Sequence, residues 1–263
     1  MPRPAARLCA LLAALVILLC GAAHAASYRA LQGPIPQSAV RAYPAAHPAG
    51  VALVLHGGGW LATGDRALNQ AMTLHDVGLA TRAGWTAVNA DYRPGVQSVA
   101  DTIRLYDWLR DRYGRRTPIC VFGDSAGGHL GLMLAARRRD LDCVIGVAAP
   151  TDLTVVERQS PMLWQLGVLP AFGNADLTRL SPILMVSRMR APMLLATVQD
   201  DVIVPVAQQR AFLAAYRRAR GLELRPGAGE FIHTTADKSD ITRFDRAAVS
   251  FLRRVAAGKQ RSR

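Results

Sequence analysis

Lysine is almost missing from this 263-residue chain: of 32 basic residues, only Lys238 and Lys259 are not arginine. Cysteine is scarce as well, with four in all, and no Cys and His spacing of the kind that ligates a metal occurs. Aromatic residues are 6% of the chain and do not alternate with the basic ones, which excludes the stacking platform of a nucleic-acid binder. Acidic residues do not occur before residue 26. Internal repeats are absent, and so are low-complexity segments beyond the first 25 residues. The longest apolar run, Leu8 to Ala23, is 16 residues, short of the roughly 18 needed for a spanning helix.

What is present is globular. Hydrophobic residues make up 51% of the chain and charged ones 19%, which excludes a disordered chain. The length fits one domain burying about 70–75% of its unfolded surface. The first 25 residues read as a leader. Arg3 and Arg7 form a positive segment, Leu8 to Leu19 an apolar one, and Ala23-His24-Ala25 a small-x-small cleavage site. An uncleaved anchor is the rival reading. A lipid-modified Cys20 is disfavoured by the bulky Leu19 before it.

The formal net charge is +13. The arginines cluster at Arg137-Arg138-Arg139, at Arg217, Arg218 and Arg220, and at Arg253-Arg254. These are expected helix C-termini, where positive charge complements the helix dipole in solvent. An anionic partner is the alternative. Cys120 and Cys143, the two cysteines outside the leader, both lie in strand-like runs. An export route permits a disulfide between them, and two buried free thiols are the other possibility.

The patterning alternates strands and helices. Short edge strands are expected within 26–50, and continuous apolar runs suited to strands covered on both faces occur at Val51–Leu55, Ile119–Phe122, Cys143–Pro150 and Ala191–Val198. A further strand is expected at Thr86–Ala90 and a short one at Leu222–Arg225. Helices are expected over Leu68–Ala83, over Ser98–Arg110 with Ser98 as N-cap, from about Pro205 to Arg218, and over Asp240–Val255. This order predicts an α/β fold, a mostly parallel central sheet flanked by helices. Residues 151–190 break the alternation. A short cap over about 153–182, with little helical order, is expected there. It is too short for a second domain, so 26–263 reads as one.

Two stretches stand out chemically. Gly123-Asp124-Ser125-Ala126-Gly127 lies between an apolar strand and a helix-like run. In that context the serine occupies a strained turn with its hydroxyl exposed, and the N–H of Ala126, the residue after it, is an oxyanion donor. Alone, G-x-S-x-G arises in a shuffled chain of this composition roughly 7% of the time. Upstream, His56-Gly57-Gly58-Gly59-Trp60 follows a buried strand directly. Three glycines there allow bare N–H groups to approach a developing negative charge. The two motifs together are expected by chance about 2 times in 10,000.

With these motifs the chain resembles the α/β-hydrolases, close to the carboxylesterase branch that includes hormone-sensitive-lipase-like enzymes. His56-Gly57-Gly58-Gly59 resembles that branch's oxyanion loop, Asp91-Tyr92-Arg93 its D-Y-R segment, and Gly123–Gly128 its nucleophile elbow. The branch continues D-Y-R with an A-P-E-like sequence, where this chain has Pro94-Gly95-Val96. The resemblance spans roughly residues 50 to 255 and implies Gly58 and Gly59 as further oxyanion donors.

A serine needs a base, and the base needs an orienting acid, in the chain order Ser, Asp or Glu, His. After Ser125 the histidines are His129 and His233. His129 lies four residues along the elbow helix, pointing away from the hydroxyl, and reads as a packing or solvent residue. His233, in a glycine-flanked loop before the last helix, is the expected base. Asp200 and Asp201 both lie in the loop at the C-terminal end of a strand, where ligand sites form in open α/β sheets. Asp201 is favoured because its spacing to Pro205 resembles the family's acid loop, with Asp152 a distant third. Asp124 is expected to hold the turn.

The expected activity is that of an exported serine hydrolase, secreted or periplasmic, cleaving small-molecule carboxylic esters through an acyl-enzyme. It requires no metal or organic cofactor, no nucleic acid and no stable membrane insertion once the leader is removed. The alternatives are a serine peptidase of the same fold and a non-catalytic binding protein.

Overall fold

The computed structural model describes residues 28–61, 67–227, 233 and 236–261. The leader, residues 1–25, and most of the loop from Gly227 to His233 lie outside the described residues. The chain folds as one eight-stranded sheet with helices on both faces.

The strands are β1 (Arg29–Leu31), β2 (Val40–Tyr43), β3 (Val51–Leu55), β4 (Thr86–Ala90), β5 (Ile119–Asp124), β6 (Cys143–Val147), β7 (Met193–Val198) and β8 (Ala219–Leu224). Their spatial order is β1-β2-β4-β3-β5-β6-β7-β8. The β1/β2 and β2/β4 pairs are antiparallel, and every other pair is parallel. The mostly parallel sheet is the one expected.

Burial on both faces explains the continuous apolar runs. Along β3, Val51, Leu53 and Leu55 enter one core layer, while Ala52 and Val54 enter the other. The first layer is closed by α2 (Gln97–Tyr113), α3 (Ala126–Ala135) and α4 (Val206–Ala215), the second by α1 (Ala67–Arg82) and α5 (Lys238–Arg261). On α5, Phe244, Ala248, Phe251 and Leu252 are buried. Each of the larger three contributes on the order of 1.5–3 kcal/mol of apolar burial.

Several boundaries differ from expectation. Ser98 is not the N-cap of α2. The helix begins one residue earlier, after Val96, and the Ser98 hydroxyl is buried without a partner. Pro205 caps α4 from outside it, and β8 begins at Ala219. The last helix continues to Arg261, so Arg253 and Arg254 lie within it and do not end it. The apolar stripe stops near Ala256, but the residues beyond remain compatible with a helix.

Residues 153–188 are a string of short helical turns in place of the irregular excursion expected. Pro161 and Pro182 open two of the pieces, and Gly173 follows the end of the longest, 161–172. The middle of that piece, Trp164–Val168, is π-helix, so its side chains do not follow a 3.6-residue period, and the other pieces are too short to show one.

β5 and β6 pair with Cys120 opposite Cys143, and the structure joins the two in a disulfide with Cα atoms 4.5 Å apart. Both side chains are buried in the layer beneath α1 and α5.

Candidate active site

The parallel register gathers the loops that follow β3, β5, β6 and β7 along one edge of the sheet, where ligand sites of such sheets form. β3 and β5 are neighbours, with Leu55 opposite Gly123. The glycine loop and the serine turn therefore emerge side by side.

Ser125 sits between β5 and α3 with φ 50° and ψ −117°, a conformation costly for a residue with a Cβ. Its N–H donates to the carbonyl of Val147 at 2.7 Å. The flanking glycines are dictated by space. A Cβ on Gly123 would lie 2.6 Å from the carbonyl carbon of Gly127, and one on Gly127 would overlap the carbonyl oxygen of Leu55. One on Gly128 would meet the Ala149 Cβ at 2.8 Å.

The His233 ring links two of the expected residues. Its Nε2 lies 3.0 Å from the Ser125 Oγ, and its Nδ1 lies 3.0 and 2.9 Å from the two carboxylate oxygens of Asp201. Asp201 Oδ1 also accepts the N–H groups of Ile203 and Val204, each at 2.8 Å. Ser125 and Asp201 are 8% and 5% exposed. Asp200 is exposed at a left-handed turn position, φ 62°, and Asp152 caps a short turn through Thr154. Neither has a contact with the ring among these bonds.

The loop after β3 is held on several sides. Gly58, Gly59 and Trp60 all have positive φ, at 101°, 62° and 62°. A Cβ on Gly57 would stand 3.4 Å from that of Ser125, so the loop lies against the serine turn. Ala126 opens α3 directly after the serine. His56 bonds Asp91 through Nε2 at 2.8 Å, and its ring stacks on Tyr92 at 4.3 Å. The Tyr92 hydroxyl donates to the His56 carbonyl at 2.8 Å. Arg93 forms a two-pronged pair with the buried Asp101, at 2.7 and 2.8 Å. The D-Y-R segment thus braces the glycine loop, a role that no local pattern announces.

Three more features escape sequence reasoning. Gln208, buried on α4, bonds the Thr151 and Asp152 N–H groups and reaches Gln159. Gly59 abuts Gly167 of the cap: a Cβ on Gly59 would lie 3.4 Å from the Gly167 Cα. Behind the serine turn, Asp76 and Asp124 are buried and both carboxyls are pushed up. For Asp124 burial raises the pKa to about 6, the charges of His75 and His233 opposing. For Asp76 burial dominates, and the charges of Asp124 and Asp245 add to it. A polar residue at an otherwise apolar helical position is the only sequence signal for Gln208 or Asp76.

Among the described residues, no group of three or more His, Cys, Asp or Glu is arranged to hold a metal ion.

This sheet order, with a serine on the turn after β5 and a glycine loop after β3, is the α/β-hydrolase fold. The chain belongs to the BD-FAE family, whose model matches residues 42–216. It is 28% identical over 218 residues to the esterase LipC of Mycobacterium tuberculosis, covering 69% of this chain and 53% of that protein. The chain spans about half the length of the curated relatives it matches. Among solved structures, the esterase B from Lactobacillus rhamnosis superposes with a TM-score of 0.76 at 17% identity, covering 98% of this chain and 96% of that one. A hormone-sensitive lipase from a metagenome library gives 0.71 at 16% identity, covering 98% and 93%.

Proposed function

We propose that this protein is an exported serine esterase acting on small or medium uncharged carboxylic esters. The observation that carries this reading is the hydrogen-bonded line Asp201–His233–Ser125 beside the glycine loop. Membership of the BD-FAE family and the likeness to named esterases support the reaction class.

Ser125 attacks the ester carbonyl while His233 Nε2 takes its proton. Asp201, held by two backbone N–H groups, keeps Nδ1 protonated and stabilises the imidazolium. The tetrahedral oxyanion is received by the N–H groups of Gly58, Gly59 and Ala126. Removing one such donor costs on the order of 3–4 kcal/mol where a side chain supplies it. His233 then protonates the leaving alcohol, and water repeats the sequence on the acyl-enzyme. The cap supports an apolar acyl site. Its Leu166 is 70% exposed, and its carbonyl is at the edge of Gly59. The leader pattern and the Cys120–Cys143 disulfide support export into an oxidising compartment.

The test is turnover of nitrophenyl esters of graded acyl length beside a nitroanilide peptide set, with Ser125→Ala as control. Ester turnover that the variant loses by roughly 10³-fold or more is the expected result. Turnover of nitroanilides alone, or equal ester turnover by both proteins, overturns the reading.

A further inference from the structure

The glycine loop, the elbow helix and the cap meet on one side chain that the mechanism above does not use. His129 lies on α3, one turn beyond Ser125, and is fully buried. Its Nδ1 is 3.0 Å from the Trp60 indole nitrogen, and its Nε2 is 2.8 Å from the carbonyl oxygen of Leu180. These partners dictate the tautomer. A carbonyl only accepts, so Nε2 carries the proton; an indole N–H only donates, so Nδ1 is bare. The imidazole is therefore neutral, with both nitrogens satisfied. Burial pushes its pKa down to about 4, the bond to Leu180 opposing and the charge of Arg137 adding to the fall.

Trp60 is the residue that closes the glycine loop. It is fully buried and holds a left-handed backbone, φ 62°, that a bulky residue rarely adopts. Its carbonyl accepts the Gly95 N–H at 2.8 Å, and its ring packs against Phe172 of the cap at 5.0 Å. The strained backbone at Trp60 persists because its ring and carbonyl are both held. The same residue follows Gly59 directly in the chain, so the contacts that hold its ring and carbonyl also anchor the end of the glycine loop.

We infer that His129 is the positioning residue of the oxyanion loop: its neutral ring ties the Trp60 indole to the cap carbonyl of Leu180 and so sets where Gly58 and Gly59 present their N–H groups. The inference deepens the esterase reading and rests on it. It assigns His129 no proton transfer and no contact with substrate. It also links the loop to the cap, since the one imidazole bridges them.

The test uses the whole chain with His129→Phe, Trp60→Phe and His129→Gln. Phenylalanine at 129 keeps a ring and removes both bonds. Trp60→Phe keeps an aromatic ring on the loop while removing the indole donor and part of the ring volume. Glutamine retains one acceptor and one donor. Kinetics on the best nitrophenyl ester are read beside inhibition by a trifluoromethyl ketone: Ser125 adds to its carbonyl, His233 takes the serine proton, and the hemiketal oxyanion so formed occupies the same donors. Loss of correct placement is expected to lower kcat by roughly 10- to 100-fold in His129→Phe and Trp60→Phe, with KM changed by less than about twofold. Ketone inhibition weakens by a similar factor. The double variant is no worse than the poorer single one, and His129→Gln recovers most of the loss. Folded variants with wild-type kcat overturn the inference, as does a kcat loss without weaker ketone inhibition. Should His129→Phe not fold, Trp60→Phe decides alone. A wild-type protein that turns over no ester overturns the esterase reading instead, so the two failures are distinct.

Discussion

Two adjacent aspartates follow β7, and the backbone separates them. Asp200 adopts φ 62° in an exposed turn, whereas Asp201 is buried and bonds the N–H groups of Ile203 and Val204 as well as His233. Asp201→Asn removes the acceptor that fixes the imidazole tautomer, and a loss of roughly 10³- to 10⁴-fold in kcat is expected. Asp200→Asn changes a solvated side chain and is expected to alter kcat by less than about twofold and stability by less than about 0.5 kcal/mol. Steady-state kinetics of the two variants on one ester decide the matter: equal losses would remove Asp201 from its proposed role. The choice between neighbours was legible only by analogy of spacing, because the turn that sorts them depends on the φ of a single residue.

At the scale of elements, α1 and β5 press two carboxyls together behind the serine turn. Asp76 and Asp124 are both buried, and an oxygen of Asp76 has no hydrogen-bond partner. Both pKa values are raised in the folded protein, Asp124 to about 6, with burial the leading cause in each. The folded state therefore keeps protons that the unfolded chain releases above about pH 4, and stability falls as pH rises through that window. Asp76→Asn removes one of the like charges. It is expected to raise Tm at pH 8 by about 2–4 °C, equivalent to ~1 kcal/mol in a chain of this size, and to leave Tm unchanged near pH 3.5. Thermal melts of both proteins at the two pH values read this, and a variant that melts lower at pH 8 contradicts it.

Across the whole molecule, the Cys120–Cys143 disulfide closes a loop of 23 residues between the strand that carries the serine and its neighbour. By loop-closure entropy such a bridge stabilises the fold by ~3 kcal/mol. The paired change Cys120→Ala and Cys143→Ala is expected to lower Tm by about 10 °C while leaving kcat per folded molecule near that of the parent. Coincident melting curves would show that the bridge contributes nothing. The arginine excess acts at this scale as well. Arg110 ties the end of α2 to Thr117, Asp140 and Asp142, and Arg138 pairs with Asp107 on α2. Part of the charge is thus spent on joining elements, beyond the helix-end role read from its position in sequence.

The chain alone determined the succession of strands and helices and the glycines around Ser125, and it singled out the serine, aspartate and histidine that the fold brings within hydrogen-bond reach. Each of these depends on short-range chemistry: runs of apolar residues, the absence of Cβ atoms at a crowded turn, and the requirement that a serine have a base. Tertiary structure decided what connects them. The cap's longest piece departs from the 3.6-residue period through its π-helical middle, and Gly167 meets Gly59, more than one hundred residues earlier in the chain, only when the cap folds over the loop after β3. His129 is the clearest instance. Its sequence neighbours predict a packed helix residue, and only its contacts with Trp60 and Leu180, 69 and 51 residues away, reveal two directional bonds. Directional bonds depend on the orientation of both partners, and orientation is a property of the assembled fold.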